Sequence, residues 1–480
     1  MGKVSRRKFL GTVGAATGVA GAAHAERGGK RAAGKNHAGP GPALHSDVQA
    51  LVEKTPFVDT HEHLWPEAMR IGALSKPDPK MPAPDFSMLF CHYVDSDLQV
   101  AGMSGADYRK LTSTDLSVPD KWKLVEPYYN KCRNTGYLLC ARETARILFG
   151  EDDLNKDTYQ RISEKLAAGV KPGYYRHVLR DVANLEYCQV NSLESPVFNN
   201  DEPDPELLAQ DISTVQLSTG LSTDTLARLS GKSIGTLEDL HSAIDWCFNT
   251  YGPRAIASKN QCAYGRPLDF AEVSDTDAAP LFARYAADTK SLSGAENKAL
   301  QDHLMHYCFD KAAEKGLPVK LHTGFFAGHN GMPLEWLRRN ASDMCPTLKK
   351  HKNANFVLMH IDYPYQDEAI ALAKHYSNAY IDMCWAWIIN PAASVRFLKE
   401  FLMAAPASKI FTFGGDYRPV EPVVGHAAIA RRGVAQAVTE LIEEGWLPES
   451  DAPDLVDRIM RGNAHEIFPY ESAVKNWRNA

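Results

Sequence analysis

Two histidines close a short apolar run near residue 60, where the chain reads FVDTHEHLW from Phe57 to Trp65. Side chains alternate between the two faces of a β-strand, so His61 and His63 should share one face and Glu62 should point to the other. Two imidazoles on one face can bind a single metal ion when other parts of the chain supply further ligands. The spacing therefore predicts one part of a metal site.

Four more polar residues close apolar runs further along the chain: Lys259 in RAIASKNQC, His322 in LPVKLHTGF, His360 in ANFVLMHIDY and Asp416 in KIFTFGGDY. In barrel enzymes the chemistry sits where the strands end. We therefore expect these four side chains to converge on the two histidines.

The expected ligand set contains three imidazoles and one carboxylate, from His61, His63, His322 and Asp416. It suits Zn²⁺, with Mn²⁺, Fe²⁺ and Ni²⁺ as alternatives. A coordination position left open on such a metal can hold water and lower the pKa of that water toward ~7. His360 then fits a general base or a group that polarises the substrate.

Eight β-prone runs rich in Val, Ile, Leu and Phe could position these residues, with amphipathic helical stretches between most of them. The runs are PFVDTHEH, ANLEYCQV, STVQLS, RAIASKNQC, LPVKLHTGF, ANFVLMHIDY, NAYIDMCWAW and KIFTFGGDY. Eight strand–helix units in series predict an α/β fold, a (β/α)8 TIM barrel. A doubly wound sheet is the alternative, but no glycine-rich nucleotide loop follows any of the runs.

The remaining segments complete the predicted domain organisation. Residues 65 to about 180 carry apolar residues mainly at helical spacing, which predicts a helical insertion after strand 1. Residues 46–480 are predicted to form one metal-dependent barrel domain. Residues 26–45 are rich in Gly, Ala, Pro and basic residues and predict a disordered linker.

Residues 1–25 resemble a bacterial twin-arginine signal peptide. Arg6 and Arg7 precede a short stretch rich in Gly, Ala and Thr, and AHA at 23–25 fits a cleavage site for small residues. The resemblance implies that the twin-arginine export machinery is a partner and that the mature protein is periplasmic. A basic, flexible N-terminus is the alternative reading of the same residues.

Charge and composition exclude several classes of function. The net charge of −6 becomes −10 when Lys3, Arg6, Arg7 and Lys8 leave with the signal, so nucleic acid is a poor partner. No later stretch has 18 uninterrupted apolar residues, so we expect no membrane span after signal removal. The nine cysteines include no CxxC motif and indicate neither a disulfide framework nor a cysteine zinc finger. The sequence permits a homo-oligomer.

The motifs DTHEH, KLHTG, LMHIDYP and FGGD, in this order, resemble the amidohydrolase superfamily, and most of all its amidohydrolase 2 branch, which also contains decarboxylases. The resemblance implies a metal-dependent (β/α)8 enzyme with His61, His63, His322 and Asp416 as ligands and His360 as a catalytic residue. It also implies that Asp416 takes a proton from the attacking water.

Lys259 stands where two-metal members of that superfamily have a carboxylated lysine that bridges the ions. Its alternatives are an ammonium that contacts the substrate and a structural ion pair. The sequence favours one metal.

A second resemblance concerns the substrate. The segment GDYRPVEPVVGHAAIARRGV, together with TGY at 135–137, is similar to the uronate isomerase branch, where an arginine–histidine segment helps to hold a sugar carboxylate. The resemblance implies that Arg418, His426, Arg431 and Arg432 stand in comparable places, although the full pattern of that branch is absent.

Other residues are expected around the pocket. We expect Trp385 and Trp387, in MCWAW, to share one face at the end of strand 7 and to form an aromatic wall. His92, Asp95 and Asp97 are expected in a loop over the site.

The sequence thus predicts a metal-dependent hydrolase that acts on a small polar substrate through a metal-activated water. The alternatives on the same metal site are a uronate or sugar-acid isomerase and a non-oxidative decarboxylase. A non-enzymatic metal carrier is disfavoured, because none of the 17 histidines forms an exposed cluster in the sequence.

Overall fold

Nine short strand segments form two sheets at the centre of the protein, in a computed structural model that describes residues 42–76, 78 and 81–479. They are β1 Phe57–Glu62, β2 Leu185–Val190, β3 Leu208–Gln210, β4 Ile212–Ser213, β5 Ser258–Asn260, β6 Val319–His322, β7 Phe356–Met359, β8 Ala379–Asp382 and β9 Ile410–Phe411. All pairings are parallel, in the orders β1-β2-β3 and β4-β5-β6-β7-β8-β9. The predicted signal peptide, 1–25, and residues 26–41 of the predicted linker lie outside the described residues.

The two sheets close into one barrel. Asp211 separates β3 from β4: its amide donates to Val190 of β2 (2.9 Å), and the amide of Ile212 donates to Ala257 beside β5 (2.9 Å), so β3 and β4 act as one strand. At the other seam, the Thr60 amide donates to the Phe413 carbonyl (3.0 Å). The result is a parallel barrel of eight strands, which confirms the predicted fold class.

The third strand lies earlier in the sequence than STVQLS (213–218) predicted. Residues 208–213 form the strand, and Val215–Leu217 form a turn of 3₁₀ helix. The prediction failed because a charged residue, Asp211, interrupts the true strand, whereas STVQLS alternates in the way expected of a half-buried strand.

Helices surround the barrel. They are α1 Pro42–Lys54, α2 Glu67–Ser75, α3 Val94–Val100, α4 Gly105–Thr112, α5 Val118–Cys132, α6 Gly136–Phe149, α7 Tyr159–Gly169, α8 Tyr174–Arg176, α9 Thr223–Ser230, α10 Leu237–Tyr251, α11 Asp275–Ala287, α12 Gly294–Glu314, α13 Leu334–Leu337, α14 Asn340–Lys350, α15 Gln366–His375, α16 Ala386–Ile389, α17 Pro391–Ala404, α18 Pro422–Glu443, α19 Ala452–Asp457, α20 Asn463–Ile467 and α21 Tyr470–Arg478. Shorter 3₁₀ turns lie at Phe86–Phe90, Val215–Leu217, Gly252–Arg254, Cys262–Tyr264, Ala407–Lys409 and Glu449–Asp451, and π-helical turns lie at His177–Val182 and Arg458–Gly462.

Helices α2–α8 lie between β1 and β2, where the sequence predicted a helical insertion. Polar N-caps begin several of them: the hydroxyls of Ser104, Ser117 and Thr135 accept backbone N–H groups at the starts of α4, α5 and α6. Helix α6 packs directly on α18. The two helices are so close that a side chain at Gly425 of α18 would overlap the carbonyl of Cys140. This contact anchors the insertion beside the last strand of the barrel.

Charged side chains occupy part of the barrel interior, below the ends of the strands. The Lys320 ammonium contacts both carboxylate oxygens of Asp211 (2.9 and 3.0 Å) and the Thr60 carbonyl (2.8 Å), and both side chains of the ion pair are fully buried. The Thr60 hydroxyl also donates to Asp382 (2.7 Å). These bonds tie β1, β4, β6 and β8 together under the candidate site.

In the described part of the chain, no helix combines the length and the apolar character that a membrane crossing requires.

Candidate metal centre

Three of the predicted ligands meet at the carboxyl end of the barrel. The Nε2 atoms of His61 and His63 are 3.2 Å apart, and they lie 3.3 and 3.4 Å from Oδ1 of Asp416. The histidines share one face at the end of β1, as their spacing predicted, and Asp416 follows β9. The Asp416 amide donates to the His61 carbonyl (2.9 Å), and the Tyr93 hydroxyl donates to the Asp416 carbonyl (2.5 Å), so both neighbours hold its backbone.

The protonation of these groups fits a cation between them. Nδ1 of His63 donates to the Asn191 carbonyl (2.6 Å), which leaves the lone pair of a neutral ring on Nε2. Burial lowers the pKa of His61 and of His63 well below the usual value, so both rings are neutral at pH 7. Two imidazole nitrogens and one carboxylate oxygen thus face one point from within 3.5 Å of each other, as ligands of one divalent metal do.

Burial also raises the pKa of Asp416 to about 7, and the nearby charge of Lys259 opposes that shift. A bound cation would favour the ionised carboxylate. Without one, the group exchanges its proton near neutral pH.

A second group of candidate ligands shares Asp416. One ring nitrogen of His360, the sulfur of Cys384 and a carboxylate oxygen of Asp416 lie within 4.8 Å of one another, and all three residues are buried. Nδ1 of His360 donates to the Cys384 carbonyl (3.0 Å), so Nε2 carries the lone pair of the neutral ring. Burial lowers the pKa of His360 to about 3.

His322, the fourth predicted ligand, lies beside His360 and outside both groups. Its ring centroid is 4.4 Å from that of His360, and its Nε2 donates to the Phe325 carbonyl (2.8 Å). Its role as a ligand stays a prediction.

Lys259 is buried at the end of β5, and no carboxylate of the described residues lies within salt-bridge distance of its ammonium. Burial lowers its pKa, while the charges of Asp416 and Cys384 act in the opposite direction. The lysine therefore faces both candidate groups without an ion-pair partner. Its catalytic or bridging role stays a prediction.

Two buried acids behind β1 hold the loop that carries Asp416, and the sequence analysis missed both roles. Glu62 accepts the Tyr417 amide (2.6 Å), and Oδ1 of Asp59 accepts the amides of His61 (3.0 Å) and Gly415 (3.3 Å). A side chain at position 415 would overlap the Glu62 carboxyl group, so only glycine fits there. The sequence did offer a signal for these roles, because Asp59 and Glu62 are acidic residues inside an apolar run.

An aromatic wall covers one side of the site. The Trp385 ring stacks on Tyr93 (4.8 Å between centroids) and meets His360 edge to face (5.3 Å). Trp387 does not join it: its indole N–H donates to the Thr412 carbonyl (2.7 Å), and its ring packs against Gly433 of α18. The prediction for Trp387 is wrong because β8 ends at Asp382 and α16 begins at Ala386, so the two indoles point apart.

A cleft of about 880 Å³ is lined mainly by residues of the insertion, together with Trp65 and Arg418. His92 also lines it, and none of the candidate metal ligands does. The Arg418 guanidinium lies 4.7 Å from the Trp65 ring centroid and pairs with Glu194. The His92 ring centroid is 6.4 Å from that of His63. Arg418 thus occupies a rim position, where the sequence analysis placed a substrate contact.

The other two residues expected in the loop over the site, Asp95 and Asp97, lie instead in the first turn of α3. Asp97 accepts a hydrogen bond from Thr135, and burial raises the pKa of Asp95 to about 6. His426 lies behind the Asp416 loop, with Nδ1 donating to the Gly415 carbonyl (3.2 Å).

Arg431 and Arg432 lie away from the site, which corrects their assignment to substrate binding. The buried Arg431 guanidinium donates to four carbonyls, those of Val52, Thr55, Ala183 and Asn184, at the amino ends of β1 and β2. Arg432 is exposed and pairs with Glu143 of α6 (2.9 Å). One residue fastens the bottom of the barrel, and the other lies on a helix surface.

Comparison with known proteins agrees with this architecture. The amidohydrolase family model matches residues 270–470, a range that contains β6–β9, His322, His360 and Asp416. Protein fluG of Emericella nidulans is 27% identical over 168 residues, which are 33% of this chain and only 19% of that protein. A uronate isomerase of Sphingopyxis alaskensis is 25% identical over 414 residues, covering 76% of this chain and 83% of the relative.

Among solved structures, the uronate isomerase of Thermotoga maritima superposes with a TM-score of 0.72 at 15% identity, covering 91% of this chain and all of that chain. This likeness shows the TIM-barrel fold. The family likeness shown for this chain is the match of residues 270–470 to the amidohydrolase model.

Proposed function

We propose that this protein is a metal-dependent isomerase that interconverts the aldose and ketose forms of a sugar acid such as a uronate. The observation that carries the proposal is the position of Arg418: a guanidinium lines the cleft beside the insertion, two residues beyond a candidate metal ligand. A substrate with a carboxylate at one end and a carbonyl at the other would fit these two groups. The match to a uronate isomerase over 76% of this chain supports this choice over the hydrolase that the sequence alone favoured.

The metal is proposed to be Zn²⁺ or another divalent ion, held by His61, His63 and Asp416 with His322 as the fourth ligand. When bound, such an ion would act as a Lewis acid toward the carbonyl and hydroxyl oxygens of the substrate.

The residues that line the cleft would bind the substrate carboxylate. Arg418 can form a two-pronged pair with a carboxylate once it releases Glu194, and both side chains are about three-quarters buried, so the exchange takes place in a partly desolvated site. Burial lowers the pKa of His92 to about 3, so this ring is neutral and contributes a hydrogen bond without a charge. One guanidinium therefore supplies the charge that would select an acid.

Asp416 is the proposed carrier of the proton. In an aldose-to-ketose step, a base takes the proton from C2, a proton reaches the C1 oxygen, C1 then receives a proton, and the C2 hydroxyl loses one. A carboxylate at this position, beside the two imidazoles, can take a proton from the substrate and return it. The wall of Trp385 and Tyr93 shields one side of the site from water, so the proton taken from C2 can be the one returned to C1.

The test is incubation of the metal-loaded protein with D-glucuronate and D-galacturonate, followed by NMR of the mixture. We expect the matching ketose acid to appear, and D-glucose, which lacks the carboxylate, to remain unchanged. Arg418→Gln should raise KM for the acid by ~10-fold or more, because a charge-assisted pair to the carboxylate is lost. Equal turnover of glucose and glucuronate would contradict the proposal.

A hydrolase is the second candidate, and the family match over residues 270–470 favours it. The same residues could serve, with Asp416 taking a proton from an attacking water and returning it to the leaving group. Incubation in ¹⁸O-water separates the candidates: a hydrolase places ¹⁸O in a new product group from an amide, ester or lactone. A decarboxylase would release CO₂ instead.

We further propose that the protein is exported in folded form to the periplasm by the twin-arginine machinery. The support is the sequence around Arg6 and Arg7. Cell fractionation should find the protein in the periplasm, and Arg6→Lys with Arg7→Lys should retain it in the cytoplasm. An unchanged distribution would exclude this route.

A further inference from the structure

We propose that His360, Cys384 and Asp416 form a second cation site, which takes a thiophilic divalent metal such as Zn²⁺. The site rests on the metal centre proposed above only in sharing the Asp416 carboxylate, which would bridge the two ions. It requires no assumption about the substrate.

The donor atoms are already gathered. A ring nitrogen of His360, the Cys384 sulfur and an Asp416 oxygen lie within 4.8 Å of one another, and each residue is at most 6% exposed. They come from the ends of three neighbouring strands, β7, β8 and β9. A zinc ion bound by these atoms would have Zn–S near 2.3 Å and Zn–N near 2.0 Å, so binding would draw the three atoms closer together.

The backbone at these strand ends is held in an uncommon conformation. His360, Trp385 and Asp416 have φ values of +68°, +64° and +61°, the left-handed region that residues other than glycine seldom adopt. Such strain persists where surrounding contacts impose it, and it clusters at functional sites. Here it turns three successive strand ends toward the same space.

The chain also leaves room for the thiol. A side chain at Gly414 would come within 2.8 Å of Cβ and 2.9 Å of Sγ of Cys384, so glycine at this position preserves the place of the sulfur. The Cys384 amide donates to Asp382 (2.8 Å), which fixes the backbone of the cysteine.

The donor set decides which metal would bind. Imidazole, thiolate and carboxylate together suit Zn²⁺, Co²⁺ and Cd²⁺, whereas Mg²⁺ avoids sulfur. Binding forms a metal–sulfur bond and releases the thiol proton to solvent. The Lys259 ammonium interacts with the charges of Cys384 and Asp416 and opposes a second cation, whereas the thiolate and the carboxylate attract one. Cys384 would then take the place of a carboxylated lysine as the extra ligand.

The test uses the full-length apoprotein titrated with Co²⁺, which reports sulfur ligation through a thiolate-to-metal charge-transfer band in the near ultraviolet. We expect two equivalents of Co²⁺ in the wild type, with the band present. Cys384→Ser should lose the band and one equivalent. Cys308→Ser, at a buried cysteine on α12, is the matched control and should keep both.

A wild-type protein that binds Co²⁺ without the band would overturn the proposal, as would a Cys384→Ser variant that retains it. If Cys384→Ser does not fold, His360→Gln replaces it: loss of one equivalent supports the site, and retention of both equivalents overturns it. Because these readouts need no substrate, they stand apart from the assay for isomerase activity.

Discussion

Buried polar groups at the two ends of the barrel differ in whether the protein supplies their hydrogen-bond partners. At the amino end, Arg431 donates to four backbone carbonyls, so the fixed charge and the carbonyls around it are satisfied by each other. At the carboxyl end, Nδ1 of the buried His61 has no hydrogen-bond partner among the described residues. There, the nitrogens of His61 and His63 face each other and Asp416 at 3.2–3.4 Å.

The difference between the two ends separates charged residues that stabilise the fold from those that bind a ligand. A buried group whose partners are all protein atoms adds to the free energy of unfolding when it is intact, and its removal leaves those partners unpaired. Buried acceptor atoms that face each other, with too few protons to hydrogen-bond one another, can instead bind a cation. Residue type alone does not separate the cases, since Arg418 and Arg431 differ only in where the fold places them.

The largest expected effect is on the carboxyl end. Asp416→Asn should reduce kcat/KM by about 10²–10⁴-fold and remove bound metal, because a proton carrier and a ligand are lost together. The free energy of unfolding of the apoprotein should not fall, since a neutral amide relieves the burial of a carboxyl group. Metal analysis, steady-state kinetics and denaturant unfolding measure the three quantities.

The control for that variant is Asp343→Asn, at a buried carboxyl on α14 that pairs with Arg339 (3.1 Å). It should keep its metal and its activity. Full metal content in Asp416→Asn would sink the ligand assignment.

The next effect is on the amino end. Arg431→Met should lower the free energy of unfolding by about 3 kcal/mol, because four carbonyls lose their donor in a buried place. Metal content per folded molecule should be unchanged. Arg432→Met, at the exposed neighbour that pairs with Glu143, should cost no more than about 1 kcal/mol. An equal loss in the free energy of unfolding of the two variants would contradict the stabilising role of Arg431.

The smallest effect concerns pH. Burial raises the pKa of Asp382 to about 7 from the ordinary 3.8, so the folded apoprotein binds this proton more tightly than the unfolded chain does. The resulting stability is full below pH 4 and is lost as the pH rises to 7. Asp382→Asn lacks this dependence, so its stability relative to wild type should improve by at least about 1 kcal/mol from pH 4 to pH 7.

Denaturant unfolding of the apoprotein at several pH values checks this prediction. Asp454→Asn, at an exposed acid on α19, should show a constant difference from wild type. A constant difference for Asp382→Asn as well would mean that the buried carboxyl does not titrate in this range.

Much of the fold follows from the sequence, because parallel strands buried on both faces leave continuous apolar runs. Seven of the eight predicted runs contain a strand. The third run misled because a barrel can bury a charge within a strand: Asp211 finds Lys320, 109 residues away in the chain. Such pairs depend on the stagger of the barrel, which local periodicity does not reveal.

The site, like the fold, could be predicted from the sequence only in part. The convergence of His61, His63 and Asp416 could be predicted, since strand ends of a parallel barrel meet at one rim. The separation of Trp385 from Trp387 could not, because it depends on the residue at which β8 gives way to α16. The retreat of Arg431 to the opposite end depends on which face of the long helix α18 meets the barrel.

The seam between the first and last strands has a consequence for biosynthesis. Glu62 and Tyr417, which are hydrogen-bonded across it, stand 355 residues apart in the chain. A nascent polypeptide therefore displays its paired histidines long before their carboxylate partner is translated. The metal centre is therefore completed late in synthesis. A product truncated before β9 would have the histidine ligands for a metal ion but would lack the carboxylate.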